Sequence, residues 1–401
     1  MRVKAKQYKG YRPYQYLEAG VDYRAFALAK EIGRVPEHRV EVTADEEVRA
    51  QRLIEENIVI SLHDHPTLVP ENSAEFTDYR REGRDFAAYE ALSVSGLDAV
   101  FDNMMDGTSV VTSKNGWKFE DVVSDLGMRL CDIAHQEFLV HCRRVEDIER
   151  AHREGRLAWV AALEAATPIQ NEVDRLDILY GLGVRLMGVV YSESNTLGSG
   201  LREPVDGGLT LFGRQAVRRM NRLGIAIDVS HTSDRTALET VEASEKPIFV
   251  THAGARALWE TARMKPDGVI RAVAEGGGVM AIEAAPHTTL TKGHPRHSIE
   301  SFMEHFEYCA NLVGIDHVAF GPDTLYGDHV GLHHAFARQL SIASAHTGPA
   351  FEEVAYVEGI ENPTEAFPNI VRWLVKHGYT DEDIAKAVGG NILRVLRQVW
   401  V

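Results

Sequence analysis

The sequence predicts a (β/α)8 barrel of the TIM type, with an N-terminal extension and closing helices at the C-terminus. Two observations predict it. Eight short β-branched or apolar runs alternate with amphipathic stretches of helical period, the mark of repeated βα units on a parallel sheet. Most of these runs also end in a side chain able to bind a metal or move a proton, as the C-terminal mouth of such a barrel requires. The 401 residues leave room for additions, since a barrel alone takes about 250.

In chain order, residues 1–55 are comparatively polar and are expected to form an extension packing on the barrel, with the barrel domain occupying residues 56–401. The strand runs are Ile58–His65, Leu97–Met104, Trp159–Ala165, Val184–Tyr191, Ile225–His231, Ile248–Gly254, Gly278–Ala284 and His317–Asp323. Between them, Arg214–Leu223 sets Val217, Met220 and Leu223 on one helical face and stops at Gly224. Ser233–Ser244 opens with a cap-like Ser233-Asp234, and Ile299–Val313 follows Ser298 and stops at Gly314. Residues 326–362 carry four histidines, several glycines and no strand pattern, so a long loop or cap is expected there. Residues 363–401 read as two closing helices, with Thr380-Asp381-Glu382-Asp383 as a helix start.

Composition excludes several classes. A formal net charge of −16 argues against nucleic acid or an anionic membrane surface as the main partner. Cys131, Cys142 and Cys309 are too few and too far apart for a disulfide framework or a metal knuckle, and each is expected as a buried small hydrophobe. Residues 1–16 lack the apolar core of a signal peptide, and no window approaches the ~18 apolar residues of a spanning helix. Residues 391–401 lack a lipid anchor's apolar tail. A cytoplasmic location without a membrane partner is therefore expected.

The proposed strand ends carry His63 and His65, Glu164, Tyr191, His231, His252 and Asp323. His63 and His65 lie two residues apart, on one face of an extended strand, where two imidazoles can grip one ion. Alone, that pair equally describes a solvated loop. Glu164 sits in the apolar Ala161-Ala162-Leu163-Glu164-Ala165, where a carboxylate needs either a metal or an arginine partner. Asp228-Val229-Ser230-His231 and Phe249-Val250-Thr251-His252 end successive strands in histidine, and Asp323 ends the last one. Four imidazoles and two carboxylates suit a pair of metal ions bridged by the glutamate. Six further histidines, His287, His294, His297, His329, His333 and His334, read as surface or lid residues.

Beyond these residues, the chain resembles the membrane dipeptidase (renal dipeptidase) family of the amidohydrolase superfamily. The resemblance runs from about Ile58 to Val401 and is carried by an ordered series of segments. They are Val190-Tyr191-Ser192-Glu193-Ser194-Asn195, Gly207-Gly208-Leu209-Thr210-Leu211-Phe212-Gly213, Asp228-Val229-Ser230-His231, Thr251-His252-Ala253-Gly254-Ala255-Arg256, Gly276-Gly277-Gly278-Val279 and Gly389-Gly390-Asn391-Ile392-Leu393-Arg394-Val395. It implies a dizinc hydrolase of dipeptides, tolerant of a D-residue on the C-terminal side, acting through a zinc-bridging hydroxide. By position, His63, His65, Glu164, His231 and His252 are the implied metal ligands. Asp323 is implied as a further metal ligand and as the proton-handling acid, and Arg263 as the receptor of the substrate carboxylate. Tyr191 and Asn195 fall in the segment that faces the substrate. A homodimer or higher homo-oligomer is also implied.

Two departures stand out. The family's first pair is His-x-Asp, whereas this chain has His63-Asp64-His65, which exchanges an anionic ligand for a neutral one and raises the site's net charge. A family histidine in the fourth-strand segment is matched here by Tyr191 and Ser192. A hydrolase of another small amide or of a lactone, and a non-catalytic barrel that binds without turnover, are the alternatives.

Overall fold

The computed structural model describes residues 6–104, 118–337 and 347–400. Among the described residues there are nine parallel strands: β1 (Ile60–Asp64), β2 (Ala99–Asn103), β3 (Leu139–His141), β4 (Leu157–Leu163), β5 (Val184–Gly188), β6 (Ala226–Asp228), β7 (Phe249–Ala253), β8 (Val279–Ile282) and β9 (Val318–Phe320). Their order is β1-β2-β4-β5-β6-β7-β8-β9, with β3 paired to β4 off this path. Eight strands thus form the expected barrel; seven lie inside the runs read from the sequence, and β4 begins two residues before its run, at Leu157. At the seam, Asp323 N–H donates to the His63 carbonyl (2.9 Å) and His65 N–H to the Thr324 carbonyl (2.8 Å), so the ring is nearly closed.

The ninth strand was not legible. Leu139–His141 is three residues long and runs straight into Arg143-Arg144, too short to show a period. It pairs with Leu157–Trp159 of β4, while β5 pairs with Ala161–Leu163 further along, so two short strands extend the sheet from one strand.

Alternate strand residues sort into two apolar layers. A small-residue set including Ala99, Ala158, Ala162, Ala226 and Ala281 clusters with helix Asn391–Val399, and Trp400 sets its ring 6.1 Å from Phe101. The other set, including Val100, Trp159, Met187 and Val250, packs against the surrounding helices.

The helices follow the capping chemistry of their sequences. Leu211–Leu223 is capped by Thr210, Asp234–Ala243 by Ser233, and Ile299–Val313 by Ser298. The C-terminal part contains Pro363–Lys376, Asp381–Ala385 capped by Thr380, a π-helical turn Lys386–Gly390 and Asn391–Val399. In the N-terminal part, helix Ala44–Glu56 lies on Pro363–Lys376, where Arg372 Nε donates to Glu47 at 2.8 Å. Within 326–362 the segment His329–Phe336 is a helix, and residues 338–346 lie outside the described residues. Cys142 and Cys309 are buried as expected, but Cys131 is exposed on helix Phe119–Ala134. No helix among the described residues is long and apolar enough to cross a membrane.

Candidate metal centre

The ends of β1, β4, β7 and β9 and the turn after β6 bring one set of donors together. Glu164 follows β4, His231 follows β6, His252 lies within β7, and Asp323 follows β9. The β1–β2 register shifts between Ser61 and Asp64, and the β7–β8 register between Val250 and Ala253. Such irregularities re-aim side chains, and here they flank His63 and His252. Asp64 turns to the seam: its Oδ1 accepts from Thr324 N–H (2.7 Å) and hydroxyl (2.8 Å), and its Oδ2 from Ser61. Burial pushes the Asp64 carboxyl up to about 7 against these hydrogen bonds.

Distances within the cluster are short. Glu164 Oε1 lies 3.1 Å from His231 Nε2, 3.4 Å from His252 Nε2 and 3.8 Å from His63 Nε2. Asp323 Oδ1 lies 3.1 Å from His65 Nε2 and 3.5 Å from His63 Nε2. Three triads each keep their ligand atoms within 4.8 Å of one another: His63-His65-Glu164, Glu164-His231-His252 and His63-His252-Asp323. Glu164 is common to two of them.

These donors fit a cation. His63 Nε2 is buried and has no hydrogen-bond partner. His65 Nδ1 faces the Asn103 carbonyl at 3.0 Å, which fixes the proton there and leaves the Nε2 lone pair toward the cluster. Thr251 Oγ1 stands 2.8 Å from His252 Nδ1, and Ser192 Oγ stands 3.3 Å from His231 Nδ1. Burial holds His63 below its usual range and His231 and His252 well below theirs, so the imidazoles are neutral. Burial pushes Asp323 upward, but the His63 and His65 rings, 3.5 and 3.1 Å away, more than offset this and hold it well below the carboxylate range. Neighbouring ligand atoms of a tetrahedral site are about 3.3 Å apart for metal–nitrogen distances of about 2.0–2.1 Å, close to the separations in the cluster.

Arg263 reaches the same mouth from the loop after β7, but it is only 3% exposed and not a solvated arginine. Its Nη1 donates to the Ser230 carbonyl (3.2 Å), and its Nη2 to the His252 carbonyl (2.8 Å) and to Glu283. Tyr191 stacks on His231 with ring centroids 4.2 Å apart. Burial, with Glu164 and Asp323 nearby, raises its phenol well above the ordinary value, so it is protonated and able to donate. Asn195 is committed elsewhere: its amide donates to Thr167 Oγ1 and the Val189 carbonyl, and its carbonyl accepts from Leu197 N–H, bracing the loop after β5.

The sequence reading passed over Glu283. It follows β8 in the apolar Val279-Met280-Ala281-Ile282-Glu283-Ala284, the context that singled out Glu164, and the same reasoning would have found it. It is fully buried. Burial pushes its carboxyl up to about 8, with Arg263 pulling it down and Asp323 pushing it further up. The loop histidines also need correction. His297 is fully buried, its Nδ1 accepting from His287 N–H, because residues 284–297 fold back over it. His329 is 8% exposed at the start of its helix.

A parallel (β/α)8 barrel with imidazoles and carboxylates converging at its C-terminal mouth is the frame of an amidohydrolase-type metal centre. The chain belongs to the membrane dipeptidase family, peptidase family M19, whose model matches residues 48–340 and 342–400. Dipeptidase tcpJ of Claviceps purpurea (strain 20.1) is 27% identical over 278 residues, a match covering 69% of this chain and 58% of that protein. In structure, an amidohydrolase from Pseudomonas aeruginosa matches with a TM-score of 0.71 at 26% identity, over 88% of this chain and 99% of the other. A metallopeptidase from Rhodobacter sphaeroides, solved with a phosphinate mimic of L-Ala-D-Ala, shares the fold with a TM-score of 0.63 at 20% identity, covering 86% of this chain and all of that one (100%).

Proposed function

We propose that the chain is a metal-dependent hydrolase of the amide bond in small peptide-like substrates, with two zinc ions per chain held by His63, His65, Glu164, His231 and His252, and with Asp323 beside them. The reading rests above all on Glu164 Oε1, within 3.1–3.8 Å of three buried imidazole nitrogens, one of which has no hydrogen-bond partner. Bound there, the ions would supply Lewis-acid polarisation of the scissile carbonyl and a lowered water pKa.

The chain's own groups complete the chemistry. Asp323, held ionised by His63 and His65, accepts the proton from the attacking water and returns it to the leaving amine. Tyr191, protonated and stacked on His231, donates a hydrogen bond to the carbonyl oxygen as charge develops on it. Arg263 adds positive charge at the side of the centre opened by β7 and β8. Substrates are dipeptides and related amides, including those with a D-residue on the C-terminal side. The phosphinate complex of the R. sphaeroides neighbour supports that choice of probe. The test is hydrolysis of a panel of L,L and L,D dipeptides and their C-terminal amides by protein stripped with a chelator and then reloaded with zinc. Turnover that vanishes on stripping and returns on reloading supports the reading; reloaded protein that cleaves none of the panel contradicts it.

A further inference from the structure

We propose that Glu283 is a specificity-determining residue that closes the Arg263 guanidinium to a substrate carboxylate, so that the site favours peptide-like amides ending in an uncharged group such as a carboxamide or ester. This inference rests on the hydrolase reading of the centre and narrows its substrate class.

Arg263 is the cation placed to receive an anion at this mouth. It is buried, and it stands close enough to His231, His252 and Tyr191 to act on their protonation. A guanidinium takes a carboxylate two-pronged, through its terminal edge or through its Nε edge. Both edges draw on Nη2. Here both N–H groups of Nη2 are spent, one on the His252 carbonyl and one on Glu283, while Nη1 gives one to the Ser230 carbonyl. No intact fork remains.

Glu283 also changes what an incoming group would meet. Its second oxygen, Oε1, is buried and accepts no hydrogen bond, since the nearby Thr288 hydroxyl donates to the Ala285 carbonyl. An acceptor therefore lies beside the guanidinium. A substrate carboxylate there would face another carboxyl group and would have to displace Glu283 from Nη2, breaking a buried contact whose loss is costly. A carboxamide meets neither obstacle, and its N–H can donate to an acceptor. Lys265, also fully buried nearby, does not relieve this, because its Nζ is bound to the Thr232 carbonyl at 2.9 Å.

The experiment compares a free dipeptide with its C-terminal amide on zinc-loaded wild type, Glu283→Ala and Glu283→Gln. The glutamine keeps the side chain's shape should the alanine variant fold poorly. The ratio of kcat/KM is read for the two compounds, and melting-temperature shifts at matched ligand concentration give a second ratio that needs no turnover. Wild type is expected to use the amide at least as well as the free dipeptide. The variants should move the ratio toward the free dipeptide by about tenfold or more. A wild type that prefers the free dipeptide, or ratios unmoved in both variants, overturns the proposal. If loaded wild type cleaves neither compound, the hydrolase reading fails instead, and the thermal shifts alone decide the role of Glu283: shifts equal for the two compounds in all three proteins, or absent throughout, overturn it.

Discussion

The Nε2 atoms of His231 and His252 stand 3.0 Å apart, and they lie 3.1 and 3.4 Å from the same Glu164 oxygen. Both rings are neutral through burial, so at most one shared N–H links the two nitrogens, whereas a cation satisfies all three atoms at once. The barrel holds this arrangement from outside the cluster, and that support is where its consequences are easiest to measure.

Thr251 is the first such support. Its hydroxyl lies 2.8 Å from His252 Nδ1 and 3.4 Å from His63 Nδ1. Thr251→Val keeps the shape and removes both contacts. Zinc affinity by competition with a chromophoric chelator is expected to fall about 10–100-fold. An unchanged affinity would show that the rings are oriented without it.

Asp323 adopts a left-handed backbone conformation, φ 56°, which asparagine tolerates well. Asp323→Asn therefore removes the charge without straining the turn. Turnover is expected to drop about 10²–10⁴-fold while zinc content stays near that of wild type. Undiminished turnover at full metal loading would remove Asp323 from proton transfer.

Gly188 leaves room for the backbone that carries Glu164. A Cβ built there would fall 1.9 Å from the Glu164 carbonyl oxygen, so β4 or β5 must shift to accept a side chain. Gly188→Ala is expected to displace Glu164 and lower both melting temperature and zinc content. Normal zinc loading in a stable variant would mean that the two strands separate without disturbing the centre.

Lys265 makes stability depend on pH. Burial, with Arg263 adding to it, lowers its ammonium from the ordinary 10.5 to about 7. Between these values the unfolded chain binds the proton and the folded chain does not, so stability rises with pH above about 7. Relative to Lys265→Met, wild type should gain about 1–2 kcal/mol between pH 7 and pH 9 in denaturant titrations run at saturating zinc. Parallel pH profiles for the two proteins would show that Lys265 keeps its proton.

Much of the barrel was legible because its strands are apolar runs and most of them end in a chemically distinctive residue. Glu164 and Asp323 stood out as acids in apolar sequence, and His231 and His252 as matched strand endings. What sequence left hidden depends on contacts between distant segments. The strand Leu139–His141 is defined only by its partner Leu157–Trp159. Arg263 read as a free carboxylate receptor because Glu283, twenty residues on, is what occupies it. Asn195 carries the right residue type in the right segment, but its amide and carbonyl are absorbed by Thr167, Val189 and Leu197. The burial of His297 depends on a loop folding back, which no periodicity signals.

The most direct test is metal content per chain by elemental mass spectrometry, read on the same preparation as turnover of the dipeptide and dipeptide-amide panel, for wild type and Glu164→Gln. The account predicts about two divalent ions per wild-type chain with turnover, and loss of both ions and turnover in the variant. Folded wild type that cleaves the panel without bound metal, or that takes up no ion after zinc reloading, would contradict it.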